Sequence, residues 1–143
     1  MDLLKKNPPP PPKPPILGFR FIVRFSEGGE LIHPQDCRFS YVSGIGFSSY
    51  SDEVHHENLV LERGLPHKSS LTSEIMQSQL NGDTLYRDIF VALLDEKGNS
   101  LKAWFFEGAR LLSWTLSPFY AGSEDAVTEH IEWEYQSCRS LQQ

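Results

Sequence analysis

The chain has 143 residues, enough for one domain rather than two. Its composition, 39% hydrophobic and 22% charged, is that of an ordinary globular protein, and 13 Lys and Arg against 19 Asp and Glu leave a formal net charge of -6, which argues against phosphate-backbone binding as its main activity. No apolar run approaches the roughly 20 residues of a membrane-spanning helix, the opening MDLLKKNPPPPPKPP lacks the apolar stretch of a secretory signal, and Cys37 and Cys138 are too few for a disulfide scaffold. Together these features predict a soluble, acidic domain folded in a reducing compartment, or exported without the usual signal peptide.

Residues 1–15 read as an arm. Seven of the ten prolines lie between Pro8 and Pro15, interrupted only by Lys13. Proline fixes φ and removes the amide donor, so this segment should be an extended polyproline II leader rather than part of a sheet or helix. Such a leader is a solvated spacer, a ligand for an aromatic groove, or an arm lying on a neighbouring subunit.

From Ile16 the rhythm is mainly period two. Phe19, Phe21, Val23 and Phe25 share one face of a first strand, and Ser26–Gly29 turns the chain. Arg38–Val42 reads as a second strand with Phe39 and Tyr41 on one side, bent at Gly44 and Gly46 and continued by 47–51. Asn58–Arg63 is the next strand, stopped by Gly64 and Pro66. One helix follows, capped by Ser69 or Ser70 with Glu74 near its positive end, closed by Asn81-Gly82, and apolar along Leu71, Ile75, Met76 and Leu80. Ile89–Leu94 is apolar on both faces and predicts an interior strand. Asp95–Asn99 makes a hairpin turn to a partner strand over Leu101–Glu107. Past Gly108, Arg110–Leu116 is a further strand, 117–122 a loop, and Thr128–Gln136 a final strand. That strand has Ile131, Trp133 and Tyr135 on one face and His130, Glu132 and Glu134 on the other. Six or seven strands and one short helix predict an all-β sandwich or barrel.

Few residues suggest chemistry. His55-His56-Glu57 is the only dense cluster of ligand types, but adjacent strand residues point to opposite faces, so it reads as a solvated turn. The two His-x-Glu matches, at His55 and His130, have no Cys-x-x-Cys partner. Ser43–Gly46 lacks the frame of a phosphate loop or a nucleophile elbow. Glu132 and Glu134 share a face without an implied pocket, and the two cysteines read as idle thiols. No catalytic, metal or cofactor residues are assigned, and an enzyme is not predicted. What remains is a β protein that must cover or pair its sheet edges, which ring formation between copies would do.

The order of segments resembles the tail tube proteins of contractile phages and of phage-tail-like injection particles. Gly18-Phe-Arg-Phe-Ile-Val-Arg-Phe25 resembles their first strand, and Phe39-Ser-Tyr-Val-Ser-Gly-Ile45 their Phe-x-x-Val-Ser-Gly-Leu segment. Asn58-Leu-Val-Leu-Glu-Arg-Gly-Leu65 is close to the family's Asn-Leu-Val-Leu-Lys-Arg-Gly-Leu. Leu80-Asn-Gly82, Arg87-Asp-Ile89, Leu93-Leu-Asp-Glu-Lys-Gly-Asn99 and Trp104-Phe-Phe-Glu-Gly-Ala109 follow in the family's order, so the resemblance covers about residues 16–136.

The resemblance implies a tail-tube-like antiparallel β domain over residues 16–143, preceded by the Pro-rich arm. It implies hexameric rings whose sheets join into a β-lined channel, stacked into an inner tube that a contracting sheath drives through a target membrane. The expected partners are copies of the chain, adjacent tube rings, the spike hub, the baseplate and the sheath, with no nucleic-acid specificity, stable membrane association or cofactor. Assembly would take place in the cytoplasm of a bacterial producer, and the product would be a phage-like, extracellular or cell-anchored particle. Two features depart from the family. Only Ser51–Glu57 separates Tyr50 from Asn58, where tube proteins carry a longer Gly-rich segment that helps form ring and stack contacts, and the Pro-rich arm is not a usual tube feature. Both suit a tube initiator or specialised paralogue joining the tube to the spike and baseplate. The subunit interface is expected at Phe19, Phe21, Val23, Asp52, Glu53, Val54, His55, His56, Ile131 and Trp133, and partner binding by the arm at Pro8, Pro9, Pro10, Pro11, Pro12, Lys13, Pro14 and Pro15. The alternative is a monomeric β-domain binding module that recruits a partner through the arm.

Overall fold

A computed structural model describes residues 7–50 and 53–141. Ten strands and one helix follow in chain order among the described residues: β1 (Phe21–Glu27), β2 (Glu30–Ile32), β3 (Tyr41–Ser43), β4 (Ser48–Tyr50), β5 (Glu53–His55), β6 (Leu59–Gly64), α1 (Ser70–Asn81), β7 (Tyr86–Leu94), β8 (Ser100–Leu116), β9 (Thr128–Glu134) and β10 (Cys138–Leu141). The fold is mostly β with one short helix and antiparallel pairing throughout. The main sheet runs β2-β1-β7-β8-β9-β6-β3, with β10 on β8, while β4 and β5 form a separate hairpin.

The long strand β8 organises the sheet. Its first half pairs with β7 on one side and, over Ala103–Phe106, with β10 on the other. Its second half pairs with β9. Sequence reading splits this stretch at Gly108, but the strand is continuous. Gly108 takes φ 61° and its amide donates to the Asp88 carboxylate at 2.7 Å, so the glycine makes a bulge that bends β8 without ending it. The bend curls the sheet without pairing its two ends. Phe25 of β1 and Trp133 of β9 are separated by β7 and β8 in the sheet, yet their rings are 6.1 Å apart.

Period-two alternation fills the interior. Val23 and Phe25 of β1, Leu59 and Leu61 of β6, Ile89 and Val91 of β7, and Ile131 and Trp133 of β9 are buried, and the residues between them are more exposed; in β7 Ala92, next to Val91, is buried as well. Helix α1 packs onto this core through Leu71 and Ile75. Ser69 caps it by accepting from the Thr72 amide, and Gly82 closes it. The expected apolar stripe is corrected in one respect. Its buried positions are Leu71, Ile75 and Ser78, a spacing of four and three, whereas Met76 is exposed and Leu80 is 81% exposed. The face turned to the core is narrower than the apolar pattern suggested.

Other differences are local. β1 begins at Phe21, two residues later than expected. The second expected strand shortens to β3; Phe39, ahead of it, is buried while Tyr41 at its start is exposed, so the two do not share a side. Strands β2, β5 and β10 were not anticipated; each has only three or four residues.

Candidate assembly surfaces

The sheet's end strands and its exposed apolar side chains are the surfaces left open to a partner. The main path ends at β2 on one side and β3 on the other, each only three residues long. Short end strands limit uncontrolled pairing while leaving backbone donors and acceptors for a specific partner. Exposed apolar residues sit at both ends: Leu31 on β2, Tyr41 on β3, and Phe47 just before β4. These three were missed in the sequence, because an apolar residue in a short edge strand has the same composition as one in the core.

The β4–β5 hairpin is fastened to the body by an aromatic stack. The His56 imidazole lies on the Tyr135 ring with centroids 4.1 Å apart and planes 11° from parallel, and Phe47 meets His56 edge-on at 6.2 Å. Tyr135 Oη donates to the Gly44 carbonyl at 2.7 Å. Burial raises the Tyr135 hydroxyl above its ordinary pKa, keeping it a neutral donor. A cleft of about 500 Å³ opens beside the stack, lined by residues 44–48 and 55–57. The expected solvated turn at His55-His56-Glu57 is therefore corrected: His55 ends β5, and both histidines are half-buried.

The remaining expected interface residues separate into three groups. Phe19 is 66% exposed, with the Arg20 guanidinium 5.4 Å above its ring, and Phe21 is half-buried against the core. Val23, Ile131 and Trp133 have no exposed surface, and both neighbours of β9 are strands of the same subunit. Their side chains fill the interior, which corrects their placement at an interface. Asp52 lies outside the described residues, and Glu53 and Val54 are placed by backbone alone, opposite Tyr50 and Ser49 in the hairpin. The arm residues Pro8–Pro12, Lys13, Pro14 and Pro15 are all exposed. The arm's root is fixed: the Leu94 amide donates to the Arg20 carbonyl at 2.8 Å, and Arg20 Nη1 donates to the Glu96 carbonyl at 2.9 Å.

The densest polar site is buried and joins elements rather than opening to solvent. Arg63 of β6 holds Glu129 of β9 through Nε at 2.8 Å and Asp36, in the β2–β3 connection, through Nη1 at 2.9 Å. Thr72 Oγ1 and Trp114 Nε1 donate to Glu129 at 2.5 and 2.7 Å, and Ser69 Oγ donates to Asp36 at 2.6 Å. Burial pushes the Asp36 carboxyl up, but hydrogen bonds from Ser69, Arg63 and the Leu71 amide outweigh it and leave the pKa below its usual value. A second cluster ties His33 to Ser70 and Glu74, and Glu74 to Arg87. Burial raises the Glu74 carboxyl while Arg87 and His33 lower it, with the lowering dominant. Both clusters pin the β2–β3 connection onto α1. Cys37 and Cys138 are free thiols, and burial raises the Cys138 pKa. Among the described residues, no group of three or more His, Cys, Asp or Glu is placed to hold a metal, and no helix is long and apolar enough to cross a membrane.

Residues 48–139 match the family described as T4-like virus tail tube protein gp19. A chain in the cryo-EM structure of the anti-feeding prophage baseplate, 6-fold symmetrised, superimposes with a TM-score of 0.74 at 24% identity, over 90% of this chain and 97% of its own. A chain of the sheath–tube complex of the extracellular contractile injection system PVC, in its extended state, is 26% identical with a TM-score of 0.66, over 89% of this chain and 91% of its own. A chain of the PVC sheath/tube terminator, also extended, is 26% identical with a TM-score of 0.68, over 91% of this chain and 99% of its own. Comparison with curated proteins finds no match.

Proposed function

Because the chain belongs to the T4-like virus tail tube protein gp19 family, we propose that it is a ring-forming structural subunit of the inner tube of a contractile injection system or phage-like tail. Within that particle it acts as a tube initiator or specialised paralogue joining the tube to the spike and baseplate. The observation that carries this reading is a sheet left open at β2 and β3, with exposed Leu31 and Tyr41 on those same end strands. Joining such edges between copies satisfies their backbone groups and covers the apolar side chains in one step. A closed ring leaves no sheet end free, whereas a monomer leaves two.

The chain's contribution is shape and rigidity. The Arg63 network fixes the helix to the sheet, and the Tyr135–His56 stack fixes the hairpin. The contracting sheath supplies the driving energy, so the subunit needs no catalytic group. Rings are hexameric, assembled in the cytoplasm of a bacterial producer and carried in the finished particle alongside sheath, spike hub and baseplate. Support for a place at the tube's beginning comes from the hairpin. Strands β4 and β5 have three residues each and start their pairing at Tyr50 and Glu53, leaving little reach for contacts that repeat from ring to ring.

Cryo-EM of the assembled particle with a tagged copy of this chain tests the placement. Density in a single ring at the baseplate end is expected. Density repeated along the whole tube would overturn the initiator role while keeping the tube subunit, and absence from the tube would overturn both.

A further inference from the structure

The arm and the β8–β9 loop occupy opposite ends of the same strand. The arm's root is held against the β7–β8 turn by the Arg20 bonds to Leu94 and Glu96, next to the start of β8. The loop over residues 117–127 follows the end of β8. It is closed at its base, where the Ser117 amide donates to the Thr128 carbonyl at 2.9 Å and the Thr128 amide donates to Ser117 Oγ at 2.8 Å. Its tip is turned by the Ser123 amide donating to the Tyr120 carbonyl at 3.1 Å. This ordered loop displays two adjacent aromatic side chains, Phe119 at 72% and Tyr120 at 70% exposure, followed by exposed Glu124 and Asp125.

The two features match in chemistry. Adjacent exposed aromatic rings are what a polyproline II segment docks against, because the proline rings are already ordered and stack on aromatic faces with little entropy to lose. Their charges are opposite as well. The arm carries Lys5, Lys6 and Lys13 against Asp2, while the loop carries Glu124 and Asp125 with no basic residue. We propose that the Pro-rich arm of one copy docks on the Phe119–Tyr120 loop of a second copy, making a head-to-tail contact between them.

The occupant is a second copy because of distance along the fold. Lys13, Pro14 and Pro15 line a cleft with residues of the β7–β8 turn at the start of β8, so the arm leaves the body at the end away from its own loop, and from its root at Arg20 the proline run reaches only about 37 Å to Pro8, whereas β8 runs about 53 Å along its course before the loop begins. A contact between unlike surfaces at opposite ends cannot close within a pair, and it closes into a ring where the rotation between copies allows. This inference deepens the tube-subunit reading and rests on it: the arm becomes a strap between neighbouring copies of one ring.

A peptide of residues 4–18 titrated into the full-length chain tests the contact, with line broadening of the peptide's proline and Lys13 proton signals as the readout. Broadening is expected with the wild-type chain, reduced about tenfold in apparent affinity by the double change Phe119→Ala and Tyr120→Ala. It should also weaken with added salt and with Lys13→Glu in the peptide. A peptide that does not broaden, or that broadens equally with the double variant, overturns the proposal; the latter result would place the arm on another surface. Both substituted residues are exposed in a loop, so the variant should melt with the wild type. Light scattering on that variant reports ring formation separately, so loss of the arm contact and loss of the tube reading give different results.

Discussion

Tyr135, one residue past β9, and Gly44, just past β3, are joined by a hydrogen bond of 2.7 Å across 91 residues of sequence. Gly44 has no alternative residue at this place. Its φ is 92°, and an added Cβ would stand 1.8 Å from the Asn58 carbonyl oxygen, which is backbone and cannot step aside. The close approach brings the start of the β4–β5 hairpin against the entry to β6, and Tyr135 then carries His56 on its face. One glycine and one tyrosine thus set where the hairpin leaves the body.

Gly44→Ala is expected to destabilise the chain by more than about 2 kcal/mol, since the left-handed backbone alone costs an L-residue about 1–2 kcal/mol before the clash is counted. Tyr135→Phe should cost only about 1 kcal/mol, one neutral hydrogen bond. Urea unfolding of the two variants checks the order, and hydrogen exchange should show faster opening at residues 48–50 and 53–55 in both.

Arg63 faces two buried carboxylates, and its removal strands them together. Arg63→Leu is expected to cost about 3–5 kcal/mol, the scale for breaking a buried pair from one side. Adding Asp36→Asn and Glu129→Gln to the same chain should recover part of the loss, because the uncompensated charge is then gone. A double-mutant cycle by thermal melting reads this coupling.

Acid should loosen the same region. Asp36 and Glu74 have folded pKa values below their ordinary ones, so the unfolded chain takes up these protons at higher pH than the folded chain does. The stability they contribute is complete above about pH 5, past their ordinary values of 3.8 and 4.5, and is lost as pH falls through their depressed folded values. Urea midpoints should therefore decline below about pH 5, and the decline should be shallower in Asp36→Asn.

The helix face gives a sharp contrast between neighbours. Ile75→Ala is expected to cost about 2–5 kcal/mol, while Met76→Gln and Leu80→Gln should stay within about 0.5 kcal/mol of wild type. Equal losses at positions 75 and 80 in thermal melts would show that the helix is turned differently on the sheet.

Strong local signals carried most of the fold into view. Alternation in 19–25, 58–63 and 128–136 marks strands whose inward residues are buried as the period demands. Ser69 and Gly82 mark the helix ends for the same local reason. The short strands escaped because three residues are too few to show a period, and β8 was divided because a glycine in a bulge has the same sequence as a glycine in a turn. The assembly surfaces were the least legible. Val23, Ile131 and Trp133 have the apolar character an interface would want, but the same character took them to the core, and only burial separates the two. Phe119 and Tyr120 lie in a stretch readable as a loop, though their exposure depends on the Ser117–Thr128 closure that only the fold creates.

Joining the two open sheet ends between copies would close the chain into rings. Native mass determination of the full-length protein, with negative-stain imaging of the same sample and with the particle's other tube and baseplate components added, tests it most directly. Closed rings of six copies are expected, unstacked. A chain that remains monomeric in the presence of those components would contradict the claim and favour a binding module that recruits its partner through the arm.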